Sequence, residues 1–214
     1  MTEPAFVTET RMAYDTVADS YAEELRSLLD DSPWDRAVLT TFAELVGGNG
    51  PVGDLGCGPG RLTGYLASLG LDVFGVDLSP GMVDAARRAH PGLRFEVGSM
   101  AALDAEDGSL AGAVAWYSLI HTPPEELAPV VAELARVLAP GGRLLTGFHV
   151  GDERRHISHG YGHDISLDAY RLPPDFVAEL CLAAGLVVEA RLVREPQGPF
   201  EKAPQAYLLA RKPG

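Results

Sequence analysis

The sequence predicts an α/β fold in which a mostly parallel sheet carries helices on both faces. Three observations lead there. Short apolar runs alternate with helix-length amphipathic stretches between residues 52 and 149. A glycine-rich corner, "GDLGCGPG", joins the first apolar run to the first of those helices. The last two runs, "LVVEARLV" and "QAYLLARK", are separated by a loop too short for a crossover helix, so they should pair as an antiparallel hairpin.

Taken in order, residues 10–29 place Met12, Val17, Tyr21, Leu25 and Leu28 at roughly helical spacing, which predicts an amphipathic helix, and a second follows at 35–46. "NGP" at 49–51 stops it. Strands are expected near 52–55, 72–76, 93–97, 111–117 and 143–149, with helices near 61–69, 80–90 and 125–138 between them and one more near 174–184. Residues 150–173 are polar and rich in His and Tyr, and they interrupt the alternation as an insertion. The chain thus divides into a helical cap (1–48), a core (49–149), the insertion read as a substrate lid (150–173), and a final helix with the hairpin (174–214), all within one domain.

Bulk properties bound the function. A formal charge of −13 surrounds the molecule with a repulsive field for DNA, RNA and anionic lipid, so small molecules are the expected partners. Apolar runs fall short of spanning length, the N-terminus lacks the pattern of a secretory signal, and two distant cysteines make no disulfide framework. A reducing cytoplasm is the expected setting, and no membrane or nucleic-acid role is expected. Oligomeric state is left open, since no exposed apolar stripe stands out.

The corner carries the chemistry. A strand turning at once into a helix brings backbone N–H groups and a helix N-terminus to the carboxyl edge of the sheet, where ligands of open α/β folds bind. Gly56, Gly58 and Gly60 let a ligand approach, but a dinucleotide fingerprint would want glycine where Arg61 stands. Asp54 would repel a pyrophosphate yet suits an amino group or an ordered water. Asp77, at the end of the second strand, is placed to accept hydrogen bonds from both hydroxyls of a ribose. A nucleoside without phosphates and with a cationic end satisfies both acids.

At these residues the chain resembles the class I S-adenosylmethionine-dependent methyltransferases, in particular small bacterial ones with an N-terminal helical cap. Six blocks in the family's order carry the resemblance: "YDTVADSY", "VGDLGCGPG", "FGVDLSPGMVDAAR", "VGSMAAL", "AVAWYSLIHTPPEEL" and "ELARVLAPGGRLLTGFH", covering about residues 12–149. It implies a Rossmann-like seven-stranded sheet of order 3-2-1-4-5-7-6 with strand 7 antiparallel, and S-adenosyl-L-methionine as cofactor. It also implies that Gly56 and Gly58 face the methionine part of the cofactor, that Asp54 holds its amino group directly or through water, and that Asp77 binds the ribose. Gly60 and the backbone of Cys57 complete the corner. Leu78 and Met82 would pack on the adenine, and Met100 would offer it a backbone contact. Ser99 stands where many relatives carry an Asp for the adenine amino group, a departure from the pattern. Trp116 would present backbone atoms to the methionine amino group. Tyr14 would close over the cofactor carboxylate or the methyl passage, with Tyr21 on the same helical face.

Methyl transfer asks the protein to align and desolvate the acceptor and, for a hydroxyl, to take its proton. His121, in "WYSLIHT" off the fourth strand, is the expected base or substrate contact, with capping of the next helix as its plain alternative; His149 ranks below it. His156, His159 and His163 lack a usual ligand spacing, so no metal is expected; with Tyr161 and Tyr170 they belong to a lid or to plain surface. Cys181 reads as core, and Trp34 and Trp116 as pocket walls or packing. The expected activity is therefore small-molecule methylation, at oxygen before nitrogen. A cofactor-binding module without catalysis is the alternative, and Arg61 argues against a nicotinamide oxidoreductase.

Overall fold

The structure, a computed structural model, describes residues 3–198 and 201–214. Five parallel strands, β1 (Val52–Leu55), β2 (Val73–Asp77), β3 (Arg94–Val97), β4 (Leu110–Trp116) and β5 (Leu138–His149), form the core of the sheet. All four residues of β1 and all seven of β4 are buried, as strands covered on both faces require. Helices α3 (Arg61–Ser68), α4 (Pro80–Ala89) and α5 (Leu127–Val137) provide the crossovers, and α6 (Pro174–Ala183) precedes the last two strands of the sheet. Those are β8 (Val187–Arg194) and β9 (Gln205–Arg211), and β9 runs antiparallel to both β5 and β8. The order is β3-β2-β1-β4-β5-β9-β8, which, counted within this sheet alone, is the 3-2-1-4-5-7-6 order expected.

Two apolar layers hold the sheet. Leu144 and Phe148 of β5 point to the face shared with Leu127, Val131 and Leu134 of α5 and Val177 and Cys181 of α6. Leu145 points the other way, toward Leu62 and Leu66 of α3 and Leu39 and Phe42 of a helix, α2 (Pro33–Val46), that covers the opposite face. Alternate residues of one strand thus feed two cores. Truncating Phe148, which is fully buried, would cost about 3–5 kcal/mol through lost transfer energy and the cavity left behind. A polar tie fastens α2 to β9: the Tyr207 hydroxyl donates to Asp35 at 2.5 Å and accepts from Arg194 Nε at 3.0 Å, while Arg194 forks onto both oxygens of Glu201 at 2.6 Å.

Two elements, α1 and β5, depart from the sequence expectation by about five residues. The first helix, α1 (Ala5–Glu24), starts and ends about five residues early. Beyond it the Ser27 carbonyl accepts from both Asp30 and Asp31 N–H, so residues 25–31 wind through turns instead of continuing the helix, and Met12 and Leu28 of the supposed apolar stripe are exposed. Strand β5 begins at Leu138 where a helix was expected to finish.

The insertion folds as its own antiparallel pair, β6 (Arg154–Gly160) and β7 (His163–Tyr170), with no ladder to the main sheet. Val150 bridges Leu172 at its base, so the chain leaves and returns at neighbouring points. Its β7 strand packs on α1 and on the 3-10 turn Leu119–His121 that follows β4. No helix among the described residues is long and apolar enough to cross a membrane.

Candidate functional site

A cavity of about 110 Å³ opens at the carboxyl ends of β1, β2 and β4, beneath α1. Its floor is the glycine corner. Gly56 has φ +80°, and a Cβ there would lie 2.3 Å from Ser118 Cβ, so only glycine lets the β1 turn and the β4 turn pass each other. Gly60, at φ +81° on the N-cap of α3, is pressed against Phe95, where a Cβ would sit 2.8 Å from the ring. The glycines therefore serve the protein's own close approaches as well as any ligand's.

Asp77 closes the corner. One of its carboxylate oxygens accepts from Gly58 N–H at 2.8 Å and the other from Ser79 N–H at 2.9 Å, so each oxygen keeps a lone pair for a ligand. Burial raises its pKa, and those two bonds oppose the rise. Ser79 caps α4 by accepting from Met82 N–H at 3.0 Å. Its hydroxyl donates in turn to Asp15 of α1 at 2.5 Å, and Gly81 N–H reaches the same Asp15 oxygen at 2.9 Å. Helix α1 is thereby locked to the start of α4, and an Arg88–Asp19 ion pair adds a surface contact between the same helices.

Over this floor α1 lays Tyr14 and Tyr21, whose rings meet edge to face at 5.8 Å. Tyr161, at the tip of the β6–β7 hairpin in the left-handed region at φ +53°, covers Tyr21 at 4.9 Å. The Tyr14 hydroxyl lies 2.7 Å from His121 Nε2, and His121 Nδ1 lies 2.9 Å from the Asp168 backbone carbonyl of β7. A carbonyl only accepts, so Nδ1 carries the proton, Nε2 is bare, and Tyr14 donates to it. Burial drives the His121 pKa down to about 4, against the opposing pull of the Asp168 bond, and drives the Tyr14 phenol well above its usual value. At neutral pH the pair is an uncharged phenol on an uncharged imidazole, with the basic nitrogen engaged by the phenol and both residues lining the cavity.

The cavity gathers eleven of the residues singled out in the sequence: Tyr14, Tyr21, Gly56, Gly58, Asp77, Leu78, Met82, Ser99, Met100, Trp116 and His121. Asp54, Cys57 and Gly60 lie outside its lining. Asp54 is 1% exposed and accepts from the Thr63 hydroxyl of α3 at 2.6 Å, so it braces the corner from behind; burial lifts its pKa to about 6, with the Thr63 bond opposing. The Cys57 side chain turns to Val83, Ala86 and Phe95, and burial pushes its thiol up. Ser99 uses its hydroxyl to accept from Ala101 N–H at 3.2 Å. Trp116 stacks on Tyr207 at 5.1 Å and 17°. His149 rests against Tyr117 at 4.9 Å and bonds Gln205 at 2.8 Å, and His156 and His159 sit on the exposed hairpin beside Asp168 and Asp164, each at 3.0 Å.

Phe6, Val7, Thr10, Tyr117 and Thr122 also line the cavity and were missed in the sequence. Phe6, Thr10 and Tyr14 recur every fourth residue, a signal visible once α1 begins at Ala5. Tyr117, at φ +53°, carries no such signal, because its strained backbone is imposed by the turn off β4.

Comparison with known proteins agrees with this architecture. A methyltransferase-domain family model matches residues 52–142. A demethylmenaquinone methyltransferase of Beutenbergia cavernae is 34% identical over 134 residues, 62% of this chain and 54% of that one. A trans-aconitate 2-methyltransferase of Methylobacterium nodulans is 36% identical over 136 residues, 61% of this chain and 48% of that one. The chain spans about half the length of these curated relatives. The fold is shared with the Burkholderia thailandensis 1,6-didemethyltoxoflavin-N1-methyltransferase, solved with its namesake substrate and S-adenosylhomocysteine, at 22% identity and a TM-score of 0.71 over 100% of this chain and 93% of that one. The family match, the sheet order and the glycine corner agree in making residues 52–142 of this chain similar to the cofactor-binding domain of class I S-adenosylmethionine-dependent methyltransferases.

Proposed function

We propose that this protein is an S-adenosylmethionine-dependent methyltransferase that acts on a small molecule, with oxygen as the methylated atom and His121 as the base. The observation that carries the reading is one cavity in which the glycine corner and Asp77 lie at one wall and the Tyr14–His121 pair at another. The residues present fit the cofactor. Asp77 offers a lone pair on each oxygen, Leu78 and Met82 offer apolar surface, and Gly58 has no side chain between its Cα and Tyr21, 3.9 Å away from where a Cβ would stand. When bound, S-adenosylmethionine supplies a methyl group already activated on a sulfonium sulfur.

The chain's own part is to place and deprotonate the acceptor. The acceptor gives its proton to the Tyr14 oxygen as the Tyr14 hydroxyl passes its own proton to His121 Nε2, and the Asp168 carbonyl steadies the resulting imidazolium through its bond to Nδ1–H. Tyr14 and Tyr21 exclude water from above, which strengthens every polar contact beneath them. The hairpin 154–170, through Tyr161, acts as the substrate lid. Relatives named for demethylmenaquinone and trans-aconitate support a small acceptor.

Calorimetry with S-adenosylmethionine, S-adenosylhomocysteine and NADH, followed by an acceptor screen read by S-adenosylhomocysteine release, tests the reading. Binding of the first two without NADH is the expected result; NADH binding without adenosylmethionine binding overturns it. Products methylated at nitrogen would move the assignment to N-methylation, and cofactor binding with no turnover on any acceptor class would leave a binding module.

A further inference from the structure

The end of the cavity beside the Tyr14–His121 pair has a chemical character of its own. Phe6, Val7 and Val130 give the lining apolar surface outside the glycine corner, and two threonines interrupt it. Thr10 lies one helical turn before Tyr14 and Thr122 lies next to His121, so each threonine stands beside one member of the Tyr14–His121 pair. Thr10 is 9% exposed and Thr122 is 7% exposed, both line the cavity, and neither hydroxyl has a hydrogen-bond partner among the described residues. A helical threonine ordinarily turns its hydroxyl onto the carbonyl one turn back, as Thr16 and Thr41 do here at 2.8 and 2.9 Å. Thr10 does not, so its hydroxyl remains available to whatever fills the space. Both residues are largely buried while their hydroxyls keep access to the cavity, so both are available to bond what fills it.

The charges that line the cavity exclude one large class of acceptor. Among the described residues no Arg or Lys borders it, and the ionised side chain present is Asp77. A carboxylate or phosphate placed beside the threonines would be desolvated with no Arg or Lys of the chain to pair it, within a molecule of net charge −13.

We propose that this end is the acceptor compartment, and that it takes an uncharged, flat, mostly apolar molecule, a fused or single ring bearing a hydroxyl or carbonyl group whose polar edge is bound by Thr10 and Thr122. The proposal rests on the methyltransferase reading and narrows it to a substrate class. Apolar walls hold the ring, the two hydroxyls orient its polar substituent, and the Tyr14–His121 pair takes the proton of that substituent through the Tyr14 hydroxyl.

The test uses the full chain saturated with S-adenosylhomocysteine and two matched probes, 2-naphthol and 2-naphthoate, with binding read by calorimetry at neutral pH. 2-Naphthol should bind at least about tenfold more tightly than 2-naphthoate. Thr10→Val and Thr122→Val, which keep shape and remove the hydroxyl, should each weaken 2-naphthol about fivefold to tenfold while S-adenosylhomocysteine affinity stays within twofold. Tighter binding of 2-naphthoate, or S-adenosylhomocysteine binding with no 2-naphthol binding, overturns the acceptor class. Loss of S-adenosylhomocysteine affinity in the threonine variants with 2-naphthol unchanged also overturns it, since the compartment would then hold part of the cofactor. Failure of the unaltered protein to bind S-adenosylhomocysteine at all refutes instead the cofactor reading beneath it.

Discussion

Tyr14 and His121 stand 107 positions apart and meet at 2.7 Å, the phenol donating to Nε2 of an imidazole whose other nitrogen is held by the Asp168 carbonyl. Three elements, α1, the turn after β4 and the β6–β7 hairpin, are thereby joined through one ring. Removing the phenol alone leaves a buried nitrogen without its donor, so Tyr14→Phe should cost about 1–2 kcal/mol of stability and about tenfold in turnover. Thermal unfolding and a steady-state assay with a competent acceptor check both.

His121→Asn should lower turnover by about a hundredfold, the usual worth of a positioned base, and leave S-adenosylhomocysteine affinity within twofold. A free-enzyme pH profile sharpens this. With the His121 pKa pushed down to about 4 by burial, kcat/KM should be flat through neutrality and fall only as pH approaches that value. An acid limb near the unperturbed 6.5 would contradict the role assigned to the buried ring.

His121 and Asp54 tilt stability in opposite directions over almost the same range. His121 falls from 6.5 unfolded to about 4 folded, so the unfolded chain holds the extra proton between those values; its contribution is complete above pH 6.5 and drains away as pH drops toward 4. Asp54 rises from 3.8 to about 6, so the folded chain holds the extra proton, and its contribution is complete below pH 3.8 and lost as pH climbs through 6. Urea midpoints should therefore increase more steeply with pH across this window in Asp54→Asn, and turn downward with pH in His121→Asn.

Asp77→Asn retains one acceptor where the carboxylate holds two N–H groups, of Gly58 and Ser79. S-adenosylhomocysteine affinity should fall at least tenfold by calorimetry, with a smaller loss of stability of about 1 kcal/mol. Unchanged affinity would mean that the ribose lies elsewhere.

Gly56→Ala should destabilise the fold by at least about 2 kcal/mol, because it combines a positive φ with a clash on Ser118. The double variant Gly56→Ala with Ser118→Gly should recover part of the loss, the backbone strain remaining. Chemical denaturation of the four proteins measures the coupling directly.

The parallel sheet, the glycine corner and the terminal hairpin were all legible because each rests on a local pattern: period, turn chemistry or loop length. The cavity's α1 wall was less so. Starting that helix at residue 10 in place of Ala5 hid the Phe6–Thr10–Tyr14 face, and Met12, counted as part of an apolar stripe, faces solvent. Asp54 shows the other limit. Its neighbours in sequence point to a ligand, but its direction is set by Thr63, nine residues on, which takes the carboxylate behind the corner. The 154–170 hairpin was seen only as an insertion, since β6 is polar and largely exposed and the short Ile165–Leu167–Ala169 alternation of β7 is set among acids, histidines and tyrosines that mask it.

That hairpin enters and leaves through the Val150–Leu172 bridge and shares no ladder with the seven-stranded sheet. Its length and composition can change without shifting the register of β5 or β9. The fold thus keeps two parts mechanically independent: a sheet edge that carries the glycine corner, and a ribbon clipped beside it that can be exchanged as one contiguous piece of chain.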